Sequence, residues 1–382
     1  MLVASIAAAQ SRYAWEALGR WKPWSIEVQN HAYGALRFTA AEVKALEAQL
    51  LGLNAILKAA PGVATPVGYS VETSGVVSST DVVPAQPNPR TLPLPSSMYF
   101  GAFGITEVVR GGKTVRDDGG ETTLLIFRIN RMPTGAAVPD FVDLESDVML
   151  EPPRGADVHG MPRYGDQLVL QKQAVPLFTP VSRDVALQLT VRALERRASA
   201  ARAVLATWTQ ALADWRDPKQ QAKRMADWKQ SATLAKDPTI LTKMTAFEKT
   251  HEAELSVLAG PDSAAARDVQ VAEQAVAAAT AAIAAIPQAE RDAASCFASD
   301  RASTGASVTH IKQAPAPGCV PIVRPNWALY NAALPRTAPQ LLVIDRVAGC
   351  IDYPPPKVPG NCAANKSLLE TLDVAAVRAW LQ

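Results

Sequence analysis

Residues 180–216 read PVSRDVALQLTVRALERRASAARAVLATWTQALADWR. Their apolar side chains fall at Leu187, Val191, Leu194, Ala198, Ala201, Leu205, Trp208, Leu212 and Trp215, in steps that alternate between four and three. Such steps return each side chain to one face of an α-helix, and a seam this long needs a partner helix to cover it. Thr179 offers a capping hydroxyl ahead of Pro180, a residue suited to the first helical turn. A second seam, Val269, Ala272, Val276, Ala279, Ile283 and Ile286, has the same spacing. Between the two, Asp217-Pro218 and Asp237-Pro238 each place a capping carboxylate before a proline, and Gly260-Pro261 breaks the chain again. The pattern predicts about four helices over residues 180–299, the first and last pairing antiparallel as a coiled-coil-like arm.

The flanking sequence reads differently. Thr39-Ala-Ala-Glu42 is a capping box, followed at helical spacing by Val43, Leu46, Leu50, Leu53 and Leu57 and stopped by Pro61-Gly62. Strand-like runs follow at 67–83, 97–109, 121–130 and 167–175, after a first at 25–29. Beyond the arm, two more are expected at Cys319–Val323 and Gln340–Asp345, then a helix from Lys366 to Leu381. The return to strand marks the arm as an insertion. Residues 11–179 and 300–382 are then the two parts of one α+β domain, a helix-covered antiparallel sheet whose last strands join the first.

Composition narrows the function classes. Hydrophobic residues make up 48% of the 382-residue chain, enough for a real core. The net charge of +2 argues against a nucleic-acid partner. Arg192, Arg196, Arg197 and Arg202 come nearest to a basic cluster, and Glu195 interrupts them, as on a solvated helix face. The most apolar helical stretch, 275–286, is mostly alanine and reads as a packed helix, so no transmembrane span is expected. Residues 1–10 are small and apolar and end Ala7-Ala8-Ala9, a possible remnant of a signal peptide. Cys296, Cys319, Cys350 and Cys362 all lie in the last quarter of the chain. An even number in Pro- and Gly-rich sequence suits two disulfides and a periplasmic or secreted location. Local closure favours Cys296–Cys319 and Cys350–Cys362.

Motifs for nucleophilic, metal or phosphate chemistry are absent from the sequence, and no cofactor is expected. His31, His159, His251 and His310 stand apart from one another. Asp140, Asp143, Glu145 and Asp147 lack the glycine and final glutamate of a calcium loop and read as a solvated stretch. The one catalytic candidate is the loop holding His159, Arg163 and Asp166, which gathers a base, a cation and a carboxylate between two strands. Trp208, Trp215 and Trp228 are candidate interaction residues, although the seam takes the first two into the arm's packing.

Several phrases resemble a group of exported bacterial proteins of no known activity. They are Phe38-Thr-Ala-Ala-Glu42, Pro176-Leu-Phe-Thr-Pro-Val-Ser-Arg183, Pro325-Asn-Trp-Ala-Leu-Tyr330 with Leu334-Pro-Arg-Thr-Ala-Pro-Gln340, and Leu372-Asp373. The resemblance implies export and one continuous domain with a helical insertion. The expectation is an exported structural or binding protein that uses its arm for contacts with a protein partner. The alternatives are a hydrolase-like enzyme at the 159–166 loop, and a binder of small apolar molecules between helix 39–58 and the sheet.

Overall fold

The computed structural model describes residues 12–29, 37–78, 92–110, 113–118, 122–138, 141, 147–173, 175–237, 239–298, 307–347 and 360–382. Residues 1–10, Asp140, Asp143, Glu145 and Cys350 thus lie outside the described residues. The chain divides into two compact units. Unit 1 takes residues 1–136, 151–179 and 323–382, and unit 2 takes 137–150 and 180–322.

Unit 1 is α+β. Its main sheet is built from β2 (Ser25–Gln29), β3 (Tyr69–Ser78), β4 (Ser96–Gly104), β7 (Thr122–Ile129), β9 (Arg163–Tyr164), β10 (Gln167–Gln171) and β15 (Leu341–Asp345). The order across the sheet is β2-β3-β4-β7-β15-β10-β9. Pairing is antiparallel except at β2, which runs parallel to β3 and makes the sheet mixed rather than purely antiparallel. A small ribbon joins β1 (Arg12–Tyr13), β5 (Thr106–Arg110) and β6 (Lys113–Asp117). The run expected as one strand over 97–109 is two strands, parted at Ile105.

One face of the sheet is covered by α1 (Ala40–Ala59), α2 (Pro61–Ala64), α8 (Gly360–Thr371) and α9 (Val374–Trp380). The capping box forms as expected: the Thr39 hydroxyl accepts from the Glu42 amide at 3.2 Å, and Glu42 accepts from the Thr39 amide at 2.8 Å. Leu46, Leu50, Leu53 and Leu57 are fully buried in one core with Met98, Phe100, Leu125, Phe127 and Ile129. Each such leucine contributes about 1.5–3 kcal/mol by leaving water. Gly75 shows how tightly this layer packs, since a Cβ there would lie 2.8 Å from the Trp24 ring and 3.0 Å from Leu50. These side chains pack together between helix 39–58 and the sheet.

The expected single helix from Lys366 to Leu381 is two. The Asp373 carboxylate accepts from the Ala376 amide at 2.9 Å, so it caps α9 instead of extending α8. The opposite face of the sheet carries Val169, Leu341 and Val343 against Met132, Leu177 and Tyr330. Asp345 also lies on that face, where it accepts from Gln167 Nε2 at 2.6 Å and pairs with Arg128.

Unit 2 contains α3 (Arg183–Arg216), α4 (Pro218–Ala235), α5 (Thr239–Ala259), α6 (Ala264–Ala284) and the short α7 (Gln288–Asp292). A small sheet, β11 (Phe178–Pro180), β14 (Val320–Pro325), β12 (Ser295–Phe297) and β13 (Ile311–Gln313), carries β8 (Met149–Leu150) on β14. This corrects the expected course after the arm. Of the two strands expected there, β15 enters the main sheet, whereas the one at Cys319–Val323 pairs with β12. The reason is local: β12, β13 and β14 bury Phe297, Ile311 and Ile322 against Leu187 and Ile283 of the helices. Val138, Phe141 and Val148 join the same core. Cys296 and Cys319 form a disulfide within this unit. Cys362 is also disulfide-bonded.

Candidate interaction surface

Five pairings define the helices of unit 2. Ser182 bridges Ala294, Arg183 pairs with Glu290, Arg202 with Glu273, Arg216 with Glu252, and Arg224 with Glu248. As one number climbs the other falls by nearly the same amount. The chain therefore ascends through α3 and α4 and returns through α5 and α6 as one antiparallel hairpin. It turns at Lys236 and Asp237. Lys236 is left-handed at φ 52°, and its amide reaches back to the Ala232 and Thr233 carbonyls. The Asp237 carboxylate then accepts from the Thr239 hydroxyl at 2.7 Å and from its amide at 2.9 Å, which holds it below the usual carboxylate range.

The seams read from the sequence lie inside this hairpin. On α3, Leu187 and Ala198 are buried and Val191, Leu194, Ala201, Leu205, Trp208, Leu212 and Trp215 are half-buried. On α6, Ala279 and Ile283 are buried and Val269, Ala272 and Val276 half-buried. Trp228 is half-buried on α4. Trp215 packs against the His251 ring at 4.4 Å between centroids, Phe247 stacks on His251 at 5.5 Å, and Trp215 meets Phe247 edge-on at 6.3 Å, a cluster of three rings. Each of the three tryptophans is thus half-buried on the arm, and Trp215 spends its ring on His251 and Phe247.

The surface that does stand open is aliphatic. Val204 on α3 is 51% exposed and Val271 on α6 is 64% exposed. Each lies two residues from a member of the Arg202–Glu273 pair, in opposite chain directions, so the two valines sit at one level. Two residues turn an α-helix by about 200°, which puts the valines on the side of the hairpin away from that ion pair. Ala200 and Thr207 extend the stripe along α3, and Ala275, Ala278 and Ala282 along α6, all of them exposed except the half-buried Ala275. Exposed Arg197, on the face of α3 that carries Val204, and exposed Gln274, beside Val271, border this patch, and the opposite side carries Arg202 and Glu273 among exposed Ala206, Thr209, Ala277 and Thr280.

The catalytic candidates have other employment. His159 and Gly160 are the two central residues of a tight hairpin turn, with φ of 49° and 75°, closed by reciprocal 2.9 Å hydrogen bonds between Val158 and Met161. Both values belong to the left-handed region that two-residue hairpin loops require. The exposed His159 thus holds a turn position. Arg163 Nε donates to the Gly165 carbonyl at 3.0 Å, and Asp166 is exposed. Among the described residues no group of three or more His, Cys, Asp or Glu could hold a metal ion, and no helix is long and apolar enough to cross a membrane.

Sequence spacing did not reveal the open stripe, because Val204 and Val271 fall outside both seams. Their positions next to seam residues Leu205 and Ala272, each on the flank away from the charged Arg202 and Glu273, were the available signal. No family model, curated protein or solved structure matches this chain.

Proposed function

We propose that this chain is an exported structural or binding protein whose helical hairpin makes contacts with a protein partner. The Val204–Val271 stripe carries the reading. A further apolar helix laid on this exposed patch of valine, alanine and threonine would turn the two-helix layer into a small bundle. Alanine and threonine beside the valines would let that helix come close. The coiled-coil-like packing of the arm belongs to the same proposal, and so do export and the group of exported bacterial proteins resembled in sequence. The Cys296–Cys319 disulfide supports export, because such bonds persist in oxidising compartments.

Site-specific photo-crosslinking in the source cell tests it. A photoreactive residue at Val204 or Val271 should give one discrete adduct. The same residue at Thr209, which is exposed on the face of α3 that carries Arg202, should not give it. Identical adduct patterns from all three positions would sink the proposal.

A further inference from the structure

β6 is the outer strand of the small ribbon, whose order is β1-β5-β6, and among the described residues no strand pairs with its far edge. Which of its backbone groups face outward follows from β5. The Ala14 amide donates to the Ile105 carbonyl at 2.8 Å, so that carbonyl faces β1. Alternation along the strand turns the backbone groups of Glu107 and Val109 the same way, and those of Thr106, Val108 and Arg110 toward β6. There they meet Asp117, Val115 and Lys113. The N–H and C=O groups of Thr114 and Arg116 therefore point out of the ribbon. Thr114, Val115 and Arg116 are exposed, Val115 to 41%.

We propose that β6 pairs with β6 of a second copy of this chain, antiparallel about a two-fold axis at Val115. That centre sets Thr114 opposite Arg116 of the other copy, so the outward groups of both strands are used in hydrogen bonds across the axis. The sequence Lys113-Thr-Val-Arg-Asp117 suits its own reversal. Lys113 meets Asp117 of the second copy, and the symmetry makes this charge pair twice. Val115 meets its own counterpart. Val108 lies beside Val115 in each ribbon, so a row of four valines crosses the joined sheet. Arg116 keeps its pairing with Glu107, at 3.4 Å, on the opposite face. Other centres fit worse: one at Arg116 sets arginine against arginine, and one at Thr114 sets Lys113 against Val115. A lysine on a sheet edge ordinarily keeps other strands away, and here the same edge carries the matching carboxylate. This pairing is independent of the arm's stripe.

Sedimentation velocity of the full chain over a concentration series tests it, and a reversible monomer–dimer equilibrium is expected. Thr114→Pro removes an outward N–H and leaves the β5 ladder whole. It should weaken the dimer at least about tenfold, because symmetry removes two hydrogen bonds at once. Lys113→Glu should weaken it as well, by setting carboxylates opposite each other. Val115→Cys should give a disulfide-linked dimer under mild oxidation, since facing residues outside the hydrogen-bonded pairs lie about 4.5 Å apart, within disulfide reach. Thr114→Cys should not, because it faces Arg116. Should Thr114→Pro melt below the parent, the two cysteine variants decide. The proposal is overturned by a monomer at every concentration, by a dimer as tight in Thr114→Pro as in the parent, or by equal crosslinking from both cysteines. A dimer lost in Val204→Lys but kept in Thr114→Pro would place the second copy on the arm and overturn it too.

Discussion

The Arg224 guanidinium lies over the Trp215 ring, 4.0 Å from its centroid, and donates from Nη2 to the Trp215 carbonyl at 2.6 Å. The carbonyl belongs to the last turn of α3, where no amide further along the helix is available to it. Arg224 stands in for that amide at the junction with α4. It also pairs with Glu248 of the returning helix at 3.2 Å, with both side chains largely shielded. Three elements of the hairpin therefore meet at one side chain. Arg224→Ala should lower the stability of the arm by about 2–3 kcal/mol, the range for losing a shielded charged partner and a stacked cation. Urea unfolding followed by far-UV circular dichroism would measure it. Arg224→Lys should recover only part, because an ammonium lacks the planar fork.

Ala198 is 1% exposed where α3 meets α6. Ala198→Asp should cost about 3 kcal/mol or more, since it drives a carboxylate into a closed seam. Leu205→Asp should cost less, because Leu205 is only half-buried in a two-helix layer. Unchanged thermal melting of Ala198→Asp would remove the case for a packed hairpin.

Asp118 gives a pH signature to unit 1. Partial burial acts to raise its pKa, but the charges of Lys22 and Arg20 and hydrogen bonds from Arg20 and Ser70 together hold it below the ordinary 3.8. Its contribution to stability is then complete above the unfolded value and disappears as pH falls through the lower folded one. The stability gap between parent and Asp118→Asn should be constant at neutral and mildly acidic pH and should close as the pH drops below 3.8. Denaturant titrations at stepped pH check this. A gap that widens on acidification would refute the sign.

The Cys296–Cys319 bond closes a loop with a sequence separation of 23. Replacing both cysteines by serine should cost about 3 kcal/mol on loop-entropy grounds. Alkylation before and after reduction, read by intact mass, should find no reactive thiol in the oxidised protein. Free thiols at Cys296 and Cys319 in protein taken from its source would contradict both this prediction and the proposed location.

Local rules carried the helical regions a long way. Both seams and the Thr39–Glu42 box depend on neighbours three and four residues apart, and such contacts are written in the sequence itself. The break at Asp373 is not visible in the spacing, because Leu369, Leu372, Val377 and Trp380 keep a helix-like rhythm across it. The destination of Val320–Pro325 was missed for a different reason. An apolar strand does not name its partner, and the choice of β12 over the main sheet is made by the shared core of Phe297, Ile311 and Ile322. The His159 loop looked chemical because its residue types are reactive. The positive φ at His159 and Gly160 shows a conformational need, which residue type alone does not distinguish from a catalytic one.

β15 lies between β7 and β10, yet it is made only after the whole of unit 2 has been synthesised. Until Leu341 to Asp345 emerge, the facing edges of β7 and β10 have no strand to bridge them, and the nascent chain carries bare strand edges through most of its own production. Such edges recruit any extended segment in reach. The long gap between partners therefore gives this protein a drawn-out vulnerable period at birth, during which a holding chaperone would have its greatest effect on yield.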